Sequence, residues 1–560
     1  MSLVTALAEV AGRGSGRSLH ILNGDRETER TTYDELYADA GRVASGLLAR
    51  GIERGERVAI AAPTSLDFAR AFFGVLAAGA VPVPVPPPFR LAPVQVRVRR
   101  IVQILYQSEV KVILAAGVLG ELLTAELDGV GDRFTVLDVG AVRDPSPTYV
   151  DVGTDDLALV QYTSGTIGDP KGVLLSHGNL LANLAAITQG LEVTGADVCC
   201  SWLPLFHDMG LIGTFLCAAV NDVETYLLPP EHFLRDPGRW VRMIDRYRGT
   251  VTAAPNSGYL HALRKVPRDE VRGLDLSSWR LALNGAENVN ATVMRRFGEH
   301  FAPAGFRPTA FLPVYGLAEA SLAVAFPPTG RAVTTIAVRR DLRGGGPVGF
   351  AAPGDERARE LVSVGTAVAG ASIRLVDDDG APVDGEAAIG EIQIRGTSVL
   401  RGYEANPEAT RQTIRDDGWV ATGDLGFWHA GELYIAGRKK EMIIIHGQNY
   451  YASDIESVAG QVPGVSVHGA LAVGIPSEDG EVLVLVVETN VVDPARRADL
   501  VSKVRYAVSS TVGITPREIF LTPKGYLPRT SSGKIQRHQA VAGDLARIPG
   551  GERMQKAGTV

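Results

Sequence analysis

The sequence predicts an α/β protein with largely parallel sheets, followed by a small α+β unit. Three observations carry this. Short apolar runs alternate with segments of helical periodicity through the first two thirds of the chain. Around Gly370 to Gly402 the pattern changes to polar-flanked strands of antiparallel or barrel type. Beyond Gly437-Arg438-Lys439-Lys440, where a hinge is expected, a strand–strand–helix–strand series follows. In order, Arg57–Ala61 reads as a buried strand, and Asp67–Ala80 as a helix with an acid suited to its first turn. Lys111–Leu114, Leu157–Val160 and Arg280–Leu283 read as further strands of the same architecture. Ile373–Gly380 is a strand running into a turn, and Gly390–Gly396 follows it. The last unit has strands at Ala470–Ile475, Val482–Glu488 and Glu518–Leu521 and a helix at Pro494–Thr511. The polar, Gly-rich tail Ile548–Val560 is expected to be disordered. No internal repeat is evident.

Composition excludes several classes. A chain of 560 residues exceeds the roughly 250–300 residues of one core, so more than one domain is expected. A hydrophobic content of 45% excludes global disorder. The net charge of −7 argues against a nucleic-acid binder. Cys199, Cys200 and Cys217 are the only cysteines, without disulfide-framework or metal-ligand spacing, so a cytoplasmic location is expected. Met1–Thr5 has no basic region leading into an apolar run. The most apolar stretch, Ala71–Val85, is broken by Gly74, Gly79, Pro82 and Pro84, so no stable membrane insertion is expected. From Arg438 onward there are 15 basic and 12 acidic residues, against an acidic remainder. That suits closure over an anion or contact with an acidic partner, or is an ordinary surface imbalance.

The strongest chemical signal follows the strand that ends at Gln161: Tyr162-Thr163-Ser164-Gly165-Thr166-Ile167-Gly168-Asp169-Pro170-Lys171-Gly172. Glycines let backbone N–H groups approach a phosphate chain, hydroxyls add donors and lysine adds charge. The spacing is not that of P-loop NTPases. This string resembles the phosphate loop of the adenylate-forming superfamily, which includes acyl-CoA synthetases, luciferases and peptide-synthetase adenylation domains. Tyr315-Gly316-Leu317-Ala318-Glu319 resembles the family's adenine and metal motif, and Thr422-Gly423-Asp424-Leu425 its ribose motif. Gly437-Arg438-Lys439-Lys440 resembles the hinge, and Pro528-Arg529-Thr530-Ser531-Ser532-Gly533-Lys534 the loop bearing the catalytic lysine. Essentially the whole chain is covered.

The resemblance implies a large N-terminal domain over 1–437, made of two α/β sheet subdomains plus a small β-barrel-like subdomain. A small mobile α+β lid would follow over 438–560, turning about Lys440. It implies ATP and Mg²⁺ as cofactors, with Glu319 and Thr166 at the metal. Thr163, Ser164, Gly165, Thr166 and Lys171 would hold phosphate. Tyr315 would stack on adenine beside Asn284, Gly285, Ala286 and Glu287, with Gly316, Leu317 and Ala318 adjacent. Asp424 would accept from the ribose hydroxyls, since a carboxylate has two acceptor oxygens, and Arg438 would donate nearby. Lys534 would balance charge on the pentacoordinate phosphorus.

Four features resemble the fatty acyl-AMP ligase branch: Ser201–Gly213, the form Leu317-Ala318-Glu319 without a threonine, Leu274–Arg280 leading into Asn284–Glu287, and extra sequence between Val338 and Leu361. His207 would gate the acyl pocket, lined also by Asp208, Met209, Gly210, Asn256, Ser257 and Gly258. A His-Asp pair also suits acid/base catalysis, but adenylating an ionised acid requires no proton abstraction, which favours positioning. The 338–361 insertion, unless simply a disordered loop, would pack on the lid and disfavour coenzyme A. The branch thus implies activation of a hydrophobic acid and transfer to a phosphopantetheinylated acyl carrier protein, with an acyl-CoA ligase as the alternative and an inactive adenylate-binding scaffold as a remote one. Two departures stand out. Ser257 and Gly258 follow Pro255-Asn256 where an aromatic residue is common, predicting a wider pocket that admits a bulky or cyclic acid. Asn288 stands where proline is usual, and nothing in the sequence explains it.

Overall fold

The computed structural model describes residues 1–87, 94–127, 133–163, 170–339, 347–352, 355, 358–445, 448–477, 480–529, 535, 537 and 552–553. Two largely parallel sheets form the body of the large α/β domain. One has seven strands in the order 311–313, 281–284, 251–254, 198–201, 224–227, 18–23, 26–32. Only the edge pair 18–23 and 26–32 is antiparallel. The second, all parallel, runs 81–84, 57–61, 112–115, 135–138. Helices bury their apolar faces on these sheets, as parallel sheets require. The helix Leu66–Ala77 begins where Ser65 Oγ accepts from Phe68 N at 3.3 Å, and it buries Phe68, Phe72 and Phe73 completely. On the larger sheet, Trp240, Trp279, Tyr259 and Phe297 pack edge to face in a second core.

Two expectations are corrected. The strand beginning at Leu157 extends to Thr163 and pairs antiparallel with Lys171–Ser176, not within a parallel sheet. The loop between them is too short for a parallel crossover, which requires a dozen or more residues. The strands expected to form a barrel-like subdomain lie instead in a four-stranded antiparallel sheet of linear order, 371–376, 390–396, 420–429, 432–438. A tight turn at Ala430-Gly431 joins its last two strands, so local pairing wins over closure.

Beyond the turn Lys439–Glu441 comes the smaller α+β domain. A hairpin, 442–445 with 448–451, and the helix Ala452–Gly460 open it. The strands Val465–Ser477, Gly480–Thr489 and Glu518–Pro523 then form its sheet, covered by the helix Pro494–Val512. Within the tail expected to be disordered, Glu552–Arg553 pairs with Phe520–Leu521; its other residues lie outside those described. Among the described residues no helix is long and apolar enough to cross a membrane.

One buried histidine makes this fold acid-sensitive. His177 is 1% exposed, and its Nδ1 accepts from Leu3 N at 3.1 Å. Burial pushes it down from 6.5 to about 4. The unfolded chain then binds more protons than the folded one between those values, so stability falls as pH drops from about 6.5 to about 4. A His177→Gln variant, compared with the parent by urea denaturation at pH 7 and pH 5, should lose less stability on acidification; an equal loss would contradict this assignment.

Candidate active site

The neighbouring parallel strands Leu281–Asn284 and Phe311–Pro313 end in register at Asn284 and Pro313. Ligands in α/β sheets bind beyond such carboxyl ends. The segments that follow, Ala286–Asn288 and Tyr315–Glu319, line a cavity of about 1390 Å³ together with Thr163, Lys171, Thr422, Gly423, Asp424 and Arg438. Sequence reasoning thus placed residues of four distant segments in one site. Ser164, Gly165, Thr166 and Lys534 lie outside the described residues.

At the polar end, Asp424 is 5% exposed and organises two neighbours. Tyr315 Oη donates to its Oδ2 at 2.7 Å and Arg438 Nε to its Oδ1 at 2.9 Å. Burial and then the Asp424 charge push the Tyr315 phenol far up, so it stays a donor. Asp424 in turn raises Arg438. Thr422 fixes the turn: its Oγ1 accepts from Asp424 N at 3.1 Å and donates to Ile392 O at 2.7 Å. Each Asp424 oxygen keeps a second lone pair with which it can accept a further hydrogen bond.

Glu319 Oε1 accepts from Tyr403 Oη at 2.8 Å, a partner no sequence motif revealed. Lys171 Nζ sits 4.9 Å from the centroid of the Tyr403 ring. Burial lowers Lys171, the nearby Lys440 charge lowers it further, and Glu319 opposes both. The two lysine charges thus lie close to Glu319, which places positive charge where a polyanion could be met.

The residues fit a nucleotide and its metal. Asn284 is completely buried, yet neither its Oδ1 nor its Nδ2 has a partner among the described residues, which is costly for a buried amide. At Gly316 a Cβ would stand 2.1 Å from Leu322 O, so only glycine permits this close approach. Among the described residues no three His, Cys, Asp or Glu side chains cluster to hold a metal. A lone carboxylate such as Glu319 suits Mg²⁺, which takes one or two carboxylates and completes its shell with phosphate oxygens and water.

The other end of the cavity is apolar. His207 and Asp208 also line the cavity, with His207 Nδ1 2.7 Å from Asp208 Oδ1. Gln161 Nε2 donates to Phe206 O at 3.0 Å and ties the segment before His207 to the strand Leu157–Thr163. At Gly210 a Cβ would stand 2.3 Å from Pro204 O, which explains that glycine. The chain then makes a π-helical turn over Leu211–Leu216, a feature frequent at functional sites. Beyond it the lining is Ile187, Leu191, Val193, Cys199, Cys217 and Ala218. Sequence reasoning missed these because they carry no polar chemistry. Burial pushes the Cys217 thiol up to about 12 and Cys199 further, so both act as apolar lining.

The expectation of a widened pocket is corrected. Asn256 lines the cavity, but a Cβ on Gly258 would stand 2.8 Å from Trp202 Cζ2. The indole, stacked on Phe233 at 3.6 Å, fills the space that glycine leaves. Ser257 is likewise engaged: its N and Oγ donate to the two Glu287 oxygens at 3.0 and 3.1 Å. Nothing in the structure explains Asn288, which lines the cavity.

The smaller domain closes one side. The flanks of the insertion form a hairpin, Thr335–Val338 with Arg359–Val362. From it Arg359, 8% exposed, reaches Asp454 of the helix Ala452–Gly460 at 2.9 Å. Arg359 also donates to Ala436 O at 2.6 Å, just before Gly437, and lies over the Tyr451 ring. The insertion is therefore structured at its flanks; residues 340–346, 353, 354, 356 and 357 lie outside the description.

Residues 9–404 match the family model described as AMP-binding enzyme. The chain belongs to this family, the adenylate-forming superfamily, and groups with its fatty acyl-AMP ligases. It is an ATP-dependent, acyl-adenylate-forming ligase. It is 33% identical to a medium-chain-fatty-acid–acyl-carrier-protein ligase of Moorena producens, over 92% of this chain and 90% of that one. It is also 33% identical to a 4-hydroxyphenylalkanoate adenylyltransferase of Mycobacterium marinum, over 92% and 86%. Among solved structures it superposes, with a TM-score of 0.90 and 32% identity over 96% of this chain and 97% of the other, on one from a study of fatty acyl-adenylate ligases from E. coli and L. pneumophila.

Proposed function

We propose that this enzyme joins a hydrophobic carboxylic acid to AMP and then hands the acyl group to the phosphopantetheine thiol of an acyl carrier protein. The observation that carries the first step is one cavity lined both by the apolar Ile187, Leu191 and Cys217 and by Asp424, Arg438, Lys171 and Glu319, with His207 and Asp208 in its wall. An acid with its tail against this apolar lining brings its carboxylate to His207. A carboxylate oxygen attacks the α-phosphorus of ATP, and the bond to the departing pyrophosphate breaks. No proton moves in this step, so His207, fixed by Asp208, positions the carboxylate. Asp424 receives the ribose, Tyr315 flanks the adenine, and Lys171 and Arg438 offset phosphate charge. Glu319 and Thr166 would hold Mg²⁺, which would further neutralise phosphate charge. Lys534 places a point charge at the reacting phosphorus. In the second step the thiolate sulfur bonds to the acyl carbon and AMP leaves.

The domains 1–437 and 438–560 would reorient about Lys440 between the steps. Two observations support the carrier protein over coenzyme A. A relative at 33% identity carries an acyl-carrier-protein ligase name. The insertion also clasps the smaller domain through Arg359 and Asp454, which restrains that reorientation. Double replacement, Arg359→Ala with Asp454→Ala, removes the clasp without leaving either charge buried alone. It is expected to raise the ratio of coenzyme A to carrier-protein acylation by about tenfold, which corresponds to only about 1.4 kcal/mol. An unchanged ratio would remove the clasp from the argument. The overall reading is tested with a panel of linear and cyclic acids, ATP and Mg²⁺, scored first by pyrophosphate release. Acylation of coenzyme A is then compared with that of a phosphopantetheinylated carrier. Preferred acylation of coenzyme A would refute the second step, and no pyrophosphate release with any acid the first.

A further inference from the structure

The turn that carries Glu319 is held by one remote segment, 398–404. The turn Ala318–Ala320 ends on Ser321, whose φ of 66° lies in the left-handed region that serine rarely adopts. Such backbone persists only where its surroundings fix it. Two hydrogen bonds do so here: Ser321 Oγ donates to Ser398 O at 2.8 Å, and Leu400 N donates to Glu319 O at 2.8 Å. The same segment then crosses to the strand Lys171–Ser176. Arg401 N donates to Leu174 O at 2.9 Å and Glu404 N to Gly172 O at 2.7 Å, and Tyr403 stands opposite Val173. Tyr403 N donates in turn to Thr410 Oγ1 at 2.9 Å. The backbone of Tyr403 is thus pinned between the Glu319 turn and the strand that begins at Lys171.

Its side chain, 6% exposed, meets both neighbours. The phenol donates to Glu319 Oε1 at 2.8 Å, and the ring centroid lies 4.9 Å from Lys171 Nζ. Among the described residues no other group donates to the Glu319 carboxylate. The last torsion of a glutamate is broad, so without this bond the plane of the carboxylate is loosely set. Mg²⁺ requires near-ideal octahedral geometry, which a loose ligand serves poorly. Hydrogen bonds to a ligating carboxylate are worth roughly 10- to 100-fold in metal affinity or activity. The hydroxyl and the ring can also be told apart. Removing the hydroxyl alone frees Glu319 but leaves an aromatic face beside Lys171 and the backbone pairing with Val173.

We propose that Tyr403 is a positioning residue whose hydroxyl orients the Glu319 carboxylate for the divalent cation that accompanies ATP. This rests on the metal role given to Glu319 above. The test uses the full chain and ATP without any acid, so that nothing turns over. Binding is measured by isothermal titration with Mg²⁺ in excess and again in EDTA. Tyr403→Phe is expected to weaken binding about tenfold with Mg²⁺ and by less than about twofold in EDTA, where Lys171 and its aromatic neighbour still act. In pyrophosphate release with an acid supplied, the Mg²⁺ concentration for half-maximal rate should rise about tenfold while KM for the acid holds. On a Glu319→Gln background Tyr403→Phe should cost nothing more in either assay. Tyr403→Leu, a second variant without the hydroxyl, should show the same Mg²⁺-specific loss, with a further loss in EDTA. Equal weakening with and without Mg²⁺ in Tyr403→Phe would overturn the proposal, as would a lower thermal midpoint with the Mg²⁺ dependence unchanged. An unchanged Mg²⁺ dependence in Glu319→Gln alone would overturn instead the reading on which it rests.

Discussion

Lys534→Ala is expected to lower acyl-adenylate formation by about 10²- to 10³-fold, the usual cost of removing one preorganised group that stabilises transition-state charge. The reasoning is electrostatic. As the carboxylate nears the α-phosphate, two anions converge and the phosphorus passes through a pentacoordinate arrangement. Lys171, Arg438 and the metal are suited to the ground-state polyphosphate and ribose. The lysine is assigned to charge that develops only in the transition state, so kcat should fall and KM for ATP should change little. Its neighbours Arg529 and Ile535 line the cavity. Transfer from a supplied acyl-adenylate to the carrier thiol involves no such phosphorus, so that half-reaction should keep its rate. Pyrophosphate release and single-turnover transfer, measured separately, check this. A variant impaired equally in both halves would show a damaged fold rather than a lost charge.

Asp424→Asn is expected to raise KM for ATP by about 10²-fold with a smaller effect on kcat. Asp424 accepts from Tyr315 and Arg438 through different oxygens, so beyond the ribose contact proposed for it, it fixes two other groups of the site. Asparagine keeps the shape but replaces one acceptor oxygen with a donor, which would face either the phenol or the guanidinium. Asp424→Ala should be worse for stability. Leaving a buried phenol unpaired costs roughly 1–3 kcal/mol; Arg438, with a half-exposed side chain, would regain water. Isothermal titration with ATP, alongside a thermal melt, separates the two effects. Unchanged ATP affinity in Asp424→Asn would remove this residue from the nucleotide site.

Much of the fold was legible because parallel strands buried on both faces leave apolar runs between helices, as at Arg57–Ala61 and Leu281–Asn284. The strand–strand–helix–strand series of the smaller domain was legible because its apolar runs flank one long segment of helical periodicity, although its first two strands pair antiparallel. The helix Ala452–Gly460 was not, although it carries both Asp454 and Glu456. Its charged partners Arg359 and Arg537 come from elsewhere in the chain, so its role has no local pattern. The antiparallel pairing of Leu157–Thr163 was misread because an apolar strand looks alike in either orientation.

The sequence by itself determined the chemistry. A loop of glycines, hydroxyls and lysine suits a phosphate chain, and the motifs that resemble the adenylate-forming family are legible because short stretches of backbone carry them. Tertiary structure alone decided the rest. It filled the space beside Gly258 with Trp202, set Tyr403 on Glu319, and clasped Arg359 to Asp454. It also drew Glu488 to Arg529 and Glu456 to Arg537. Each of these depends on where two remote segments come to rest, and packing of the whole core sets that distance while no interval along the chain records it.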